Sequence, residues 1–237
     1  MKIAIIGATS AIAHATAMTF AEEHADVFLV ARDAAKLAAV AADLTARGAP
    51  HVEQFVADLG DLARHAAIVA AAGGVDVVLV AHGSLPDQQA IDRDPAAQIA
   101  AFQLNATSVI SIGASFANVL ESRKAGTLAV IGSVAGDRGR RSNYVYGAAK
   151  AAIHTWCDGM RPRLRAAGAN VLLIKPGWVD TPMTRGMKKN PLFADTRTVG
   201  RGIHDAIVAR KGVIYLPHFW RWISAIVRML PERLVKF

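Results

Sequence analysis

Lys2-Ile3-Ala4-Ile5-Ile6-Gly7-Ala8-Thr9-Ser10-Ala11-Ile12-Ala13 reads as a buried strand, a turn, and the start of a helix that continues to about His24. The apolar run stops at a glycine after a strand's length, the pattern of a strand covered on both faces. Gly7 permits the sharp turn, and the backbone N–H groups at the helix start can hold a pyrophosphate. Alone the stretch says little, because an ordinary alanine-rich helix start has the same composition. Its weight comes from the rest of the chain. Asp26 to Ala31, His51 to Val56, Val75 to Ala81, Thr127 to Ile131, Asn170 to Lys175 and Val213 to Leu216 are further strand-like runs separated by helical stretches. Seven strands alternating with helices predict an α/β fold, a doubly wound parallel sheet with helices on both faces. Residues 1–216 fit one such domain, and 217–237 read as an amphipathic C-terminal tail.

The chain has 237 residues, 53% of them hydrophobic, enough for one large core. One cysteine, Cys157, rules out an internal disulfide and fits a reducing compartment. Lys2 leads straight into a strand rather than an apolar leader, and no uninterrupted apolar stretch has the length of a membrane span, so a cytoplasmic location is expected. A net charge of +8 favours anionic partners. From Arg210 onward six basic residues (Arg210, Lys211, Arg221, Arg228, Arg233, Lys236) face one acid, Glu232. No nucleic-acid recognition motif accompanies them, and no His, Cys or acidic cluster has metal-ligand spacing.

A second stretch carries the chemistry. In Tyr144-Val145-Tyr146-Gly147-Ala148-Ala149-Lys150, a helix start, Tyr146 and Lys150 share a face. A phenol is a poor acid–base catalyst at neutral pH, and a fixed cation beside it would bring its pKa down. Ser133, at the end of the strand-like Thr127 to Ile131, has a hydroxyl that can hydrogen-bond a substrate oxygen. A Tyr and a Lys four apart are common on helices, so order decides: glycine turn, mid-chain Asn105, strand and Ser133, Tyr146 and Lys150, then Pro176-Gly177. Asn105 falls in a long helix from Pro95 to Ser122, where a cap or kink is the plain alternative. Pro162 should bend the helix running from about Asn143 to Ala167 near Trp156 to Asp158.

This ordered set resembles the classical short-chain dehydrogenase/reductase family from Lys2 to about Leu216. The resemblance implies a Rossmann-like fold and a nicotinamide dinucleotide cofactor, with Asn105, Ser133, Tyr146 and Lys150 as the catalytic set. It places cofactor contacts at Gly7, Thr9, Ser10, Ala11, Ile12, Arg32, Asp58, Leu59, Ala81, Gly83, Tyr146, Lys150, Pro176, Gly177, Val179 and Thr181. The chain departs from the family at Ala11 and Ala13, where the family has glycines, and at Val80-Ala81-His82-Gly83, where it usually has Asn-Asn-Ala-Gly. The first departure should weaken cofactor binding without abolishing it. A family acid after the second strand selects NAD(H); here Ala31 and Arg32 follow, and a guanidinium suits the 2′-phosphate of NADP(H), with NAD(H) as the alternative. A basic lid, Pro182 to Arg197, should cover the substrate.

Gly136-Asp-Arg-Gly-Arg-Arg-Ser-Asn-Tyr-Val-Tyr-Gly147 and the basic aromatic tail are similar to decaprenylphosphoryl-2-keto-ribose reductases. That likeness implies a secondary alcohol/ketone pair on a phosphorylated or lipid-linked keto-sugar. Arg138, Arg140 and Arg141, between Ser133 and Tyr146, should lie near the substrate mouth and could receive a phosphate or carboxylate, with a solvated loop as the equal alternative. The alternatives are a reductase of a soluble small ketone, a dinucleotide-sensing protein without turnover, and a membrane-surface assembly protein. In the tail, Phe219, Trp222, Ile223, Ile226, Val227 and Leu230 form an apolar stripe at helical spacing, with Arg221 and Arg228 on another face. It fits either the inner face of an anionic membrane, holding the protein there peripherally, or a packing face on the domain or a second subunit. The family also implies a homodimer or homotetramer.

Overall fold

A computed structural model describes residues 1–231. Its sheet has seven parallel strands in the order β3-β2-β1-β4-β5-β6-β7. They are β1 (Lys2–Ile6), β2 (Asp26–Ala31), β3 (Val52–Val56), β4 (Val77–Val80), β5 (Thr127–Ile131), β6 (Asn170–Pro176) and β7 (Val213–Leu216). The helices are α1 (Ala11–Glu22), α2 (Ala34–Ala46), α3 (His65–Ala72), α4 (Gln88–Ile91), α5 (Pro95–Phe102), α6 (Ser108–Arg123), α7 (Tyr144–Ala166), α8 (Thr196–Val208) and α9 (Trp220–Met229).

Side chains alternate across a strand, so each central strand feeds two cores. Ile3 and Ile5 of β1 pack with α1, α2 and α8 on one face. Ala4 and Ile6 pack with α3, α6 and α7 on the other. Both sides of β1 are therefore dry, which explains why its sequence is an apolar run without alternation. After β1 the chain winds outward through β2 and β3, then returns to place β4 on the other side of β1. The winding reverses at that junction, and the reversal opens a crevice at the carboxyl ends of β1 and β4.

The stretch from Pro95 to Arg123 is one helical rod of 29 residues, long and apolar enough to cross a membrane by length and composition. Here Val109, Ile112, Phe116 and Leu120 are instead buried against the sheet. The rod is not the single regular helix expected: residues Gln103–Thr107 form one π-helical turn between α5 and α6. The helix carrying Tyr146 stays continuous from Tyr144 to Ala166 with Pro162 inside it.

The tail departs most from expectation. Trp220 is 3% exposed and lies against Gly177, where an added Cβ would come 2.0 Å from the indole Nε1. Its ring meets Trp178 edge-on, 5.5 Å between centroids, and Trp178 lies 5.5 Å from Phe193. The inward face of α9 is thus Trp220 and Ser224, neither of which belongs to the apolar stripe. The stripe itself divides: Trp222 is 69% and Ile226 57% exposed, with Met229 beside them at 77%, whereas Ile223, Val227 and Leu230 are half-buried. Residues 217–231 are therefore part of the domain's packing as well as an amphipathic element. Glu232, Arg233 and Lys236, counted in the basic tail, lie outside the described residues.

Candidate functional site

A cleft of about 320 Å³ follows the crevice between β1 and β4. Its floor and walls are Gly7, Thr9, Ser10, Ala11, Ile12, Arg32, Asp58, Leu59, Ala81 and Gly83, all expected from the sequence, joined by Ala31, Ala57, His82, Ser84 and Leu104. Gly7 has φ +96°, and an added Cβ would come 2.7 Å from the backbone nitrogen of His82. Only glycine meets both demands. Ser10 caps α1 by backbone position, yet its hydroxyl makes no cap hydrogen bond, leaving the first-turn N–H groups and that hydroxyl facing the cleft. Such a helix start attracts phosphate. Ala13 is fully buried in the core, so the methyl replacing the family's glycine is absorbed by packing. These features fit a nicotinamide dinucleotide.

At the far edge of β2, Arg32 is exposed in the cleft wall. The neighbouring Asp33 is taken up by Lys36, whose backbone N–H donates to it at 3.0 Å and whose Nζ lies at 3.2 Å. Asp58 accepts from the Gly60 backbone at 2.9 Å, an Asx turn that holds the carboxylate at the rim. His82 was the unfamiliar residue. Its Nε2 lies 2.8 Å from Ser108 Oγ, and burial, with the charges of Lys150 and His65, pushes its pKa down to about 3. It is a neutral packing residue against Gly7.

The cleft continues into a smaller pocket of about 160 Å³. Asn105, Ser133, Tyr146 and Lys150 all line it, together with Pro176, Gly177, Val179 and Thr181. The π-helical turn aims Asn105 inward. Its Oδ1 accepts from the Ser84 backbone at 2.9 Å, its Nδ2 donates to the Ala101 carbonyl at 2.9 Å, and the residue is fully buried. A Cβ placed on Gly83 would lie 2.6 Å from Asn105 Oδ1 and 4.0 Å from Lys150 Nζ, so these three groups converge. Local turns of this kind are common where a side chain must be re-aimed, and nothing in the helical periodicity announces one.

Lys150 Nζ donates to the Ile131 carbonyl at 2.8 Å and stands 5.6 Å from the Tyr146 ring centroid. It ties α7 to the end of β5, next to Ser133. Burial pushes the Lys150 pKa down to about 8. Tyr146 differs from expectation: burial raises its pKa to about 12, and the hydrogen bond with Ser133 is what opposes the rise. Desolvation of the phenolate outweighs the Ser133 hydrogen bond, so the Tyr146 pKa lies above that of an ordinary phenol rather than below it. Tyr144, on the same helix, is exposed and donates to Asp92 at 3.1 Å, outside the pocket.

The three arginines ahead of Tyr146 separate. Arg138 Nη1 donates to the Arg228 carbonyl at 3.1 Å, near the C-terminal end of α9, and Arg141 is exposed. Arg140 alone lines the pocket, with Asn143. The lid is narrower than expected. It is closed at its neck by Asp180 N–H to Ala194 (2.9 Å) and Ala194 N–H to Trp178 (3.0 Å), and α8 takes over at Thr196. Within it Met183 and Met187 reach the pocket wall. Trp220, absent from the expected site, supports that wall from behind Gly177.

The short chain dehydrogenase family profile matches residues 1–191. An uncharacterized oxidoreductase of Mycobacterium tuberculosis is 36% identical over 214 residues, covering 88% of this chain and 85% of that protein. Another, from Streptomyces coelicolor, is 32% identical over 240 residues, covering 99% and 94%. Among solved structures, a short chain dehydrogenase/reductase family protein superposes with TM-score 0.81 at 27% identity, covering 90% of this chain and 94% of that one. A short-chain dehydrogenase from Sphingobium yanoikuyae in complex with NADPH has the same fold, with TM-score 0.84 at 23% identity and coverage of 98% and 96%. The fold, the cleft and these matches agree: the chain belongs to the short chain dehydrogenase family and is an oxidoreductase, with a cleft that fits a nicotinamide dinucleotide.

Proposed function

We propose that this protein is an NADP(H)-dependent reductase that interconverts a ketone and a secondary alcohol. The observation that carries the reading is the convergence of Asn105, Ser133, Tyr146 and Lys150 on one pocket continuous with the nucleotide cleft. The nicotinamide cofactor supplies or accepts the hydride at the substrate carbon. The Ser133 hydroxyl orients the substrate oxygen, and Tyr146 gives that oxygen its proton. Lys150 holds the tyrosine's helix against the strand end and, with Asn105, gives the proton a polar path out of the pocket. Arg32, exposed in the cleft wall and next to an aspartate already engaged by Lys36, supports NADP(H) over NAD(H).

The test is reduction of a panel of ketones by wild type and Tyr146→Phe, with cofactor affinity measured in parallel. Turnover should fall by about 10² to 10⁴-fold while NADPH affinity persists. Binding of NADPH without turnover of any ketone would favour a sensor. Arg32→Ala should cost NADPH about tenfold or more in affinity and NADH almost nothing, a charge-assisted contact being lost. Equal losses would reject the NADP(H) preference.

The outward face of α9 favours a finer element, a phosphorylated or lipid-linked keto-sugar met at an anionic membrane surface. Trp222, Ile226 and Met229 form an exposed apolar strip, with exposed Arg221 and Arg228 around the helix from it. Exposed Arg185, Lys188 and Lys189 add cations on the lid. Interfacial helices combine such features. Trp222→Ser/Ile226→Ser should abolish sedimentation with phosphatidylglycerol vesicles at low salt. Wild-type protein that stays in solution, or that self-associates through this strip, would reject membrane docking.

A further inference from the structure

Arg140 poses a charge-balance problem. Its guanidinium is half-buried in the pocket of Ser133 and Tyr146, and among the described residues its Nε is buried without a hydrogen-bond partner. The acid nearest in sequence, Asp137, is spoken for. Lys175 Nζ approaches Asp137 Oδ1 at 2.6 Å, Tyr215 donates to Oδ2 at 2.9 Å, and His154 Nδ1 lies 3.5 Å from Oδ1. Asp137 and Lys175 side chains are 4% and 11% exposed, a closed ion pair with no charge left over. Burial lowers the Arg140 pKa, with Asp137 as the opposing charge, but a guanidinium remains cationic at any physiological pH. Asp137 is shared with Lys175, so the half-buried guanidinium keeps part of its charge unmatched, and an anionic ligand in the pocket would match it.

We infer that Arg140 and Asn143 form an oxyanion subsite in the substrate pocket, so that the substrate carries a carboxylate or phosphate close to its reacting carbonyl. The inference rests on the reductase reading above. The placement follows from three facts. The nucleotide's phosphates have their own place at the start of α1, lined by Thr9, Ser10 and Ala11, whereas Arg140 lines only the adjoining pocket. That pocket, at about 160 Å³, is smaller than the roughly 300 to 1,000 Å³ typical of drug-sized ligands, so the carbonyl and the anion occupy one small head group. Among the described residues Asn143 Oδ1 is likewise buried without a partner; in this orientation it would accept from a substrate hydroxyl, and with the amide turned over its NH₂ would donate to the oxyanion. Asp137 acts at one remove: by neutralising Lys175 it leaves Arg140 free for the ligand.

Two measurements on the full chain test this. The first titrates inorganic phosphate into NADPH-saturated protein by calorimetry, which occupies the nucleotide's own phosphate sites beforehand. Wild type should bind, Arg140→Gln should bind at least about tenfold more weakly, and Arg140→Lys should fall between, as a point charge replacing a two-pronged donor. The second compares kcat/KM within matched pairs: acetoacetate against methyl acetoacetate, and dihydroxyacetone phosphate against dihydroxyacetone. Wild type should prefer the anionic member of one pair by about tenfold or more, the pair identifying carboxylate or phosphate, and Arg140→Gln should erase that ratio. An unchanged urea midpoint and NADPH affinity in Arg140→Gln would tie the loss to the subsite rather than to folding. Phosphate binding equal in wild type and Arg140→Gln, or no binding in either, overturns the inference. Ketones reduced without charge preference overturn it too and leave the reductase reading standing. Arg140-dependent phosphate binding with no ketone turned over upholds the subsite and sinks the reductase reading instead.

Discussion

Replacing Trp220 by alanine separates the inward from the outward face of α9. Trp220 is 3% exposed, and its indole nitrogen has no hydrogen-bond partner among the described residues, so the cost is apolar burial and the cavity left behind. For a buried Trp→Ala change that cost is about 3 to 5 kcal/mol. Lost edge-on contact with Trp178 belongs to the same sum. With a urea slope of about 2.5 kcal/mol/M, the midpoint should fall by about 1 to 2 M. Trp222, at 69% exposure, is the control on the other face, and Trp222→Ala should stay within about 0.5 kcal/mol of wild type. If the lesion is confined to α9, trypsin should cut at Arg221 and Arg228 in the Trp220 variant before the rest of the chain. Gly177→Ala should behave like Trp220→Ala, because its methyl would fall 2.0 Å from the indole. In the Trp220→Ala background the same glycine change should cost little, a strong non-additivity. Equal midpoints and equal trypsin patterns for the two tryptophan variants would refute this packing.

Tyr144→Phe should leave turnover within a few-fold of wild type, because its hydroxyl serves Asp92 outside the pocket, and steady-state kinetics beside Tyr146→Phe check the ranking. Asp137→Asn should cost about 3 to 5 kcal/mol at pH 7 by stranding Lys175 as a buried, unpaired cation. The pH sign is definite. Burial alone would raise the Asp137 carboxyl, but hydrogen bonds from His154, Lys175 and Tyr215 hold it far below its ordinary 3.8. Its contribution is therefore complete above that value and declines as pH falls through it, by about 1 kcal/mol at pH 3. Urea titrations at pH 7 and pH 3 should show the gap between wild type and Asp137→Asn narrowing in acid, and a gap that widens would contradict the ion pair. Lys150 acts in the same direction, in a window at higher pH. Burial lowers its pKa to about 8 from 10.5, so the unfolded chain binds the extra proton between those values and Lys150 should make stability rise with pH across that window. Lys150→Met should remove that slope.

Much of the architecture was legible because it depends on local periodicity. Seven apolar runs of strand length separated by helical stretches leave few ways to cover both faces of a sheet, and parallel strands require the crossovers that the helices provide. The expected site residues came from the family resemblance, and they fall together because Gly7, Gly83, Ser133 and Pro176 stand at or just beyond strand ends, which in a parallel sheet gather at one edge. Four features were beyond the sequence. The π-helical turn that aims Asn105 inward arises from packing between helices, with no mark in the helical period. The rise of the Tyr146 pKa reflects how dry the pocket is, and dryness belongs to the assembled walls. Which of three adjacent arginines faces the substrate was settled by what each could reach: a helix end for Arg138, solvent for Arg141 and the pocket for Arg140. Finally, the apolar residues of α9 were legible as a helical spacing, but burial went to Trp220, because the space above a glycine 43 residues upstream admits an indole and nothing in the local pattern of residues 217–231 records that space.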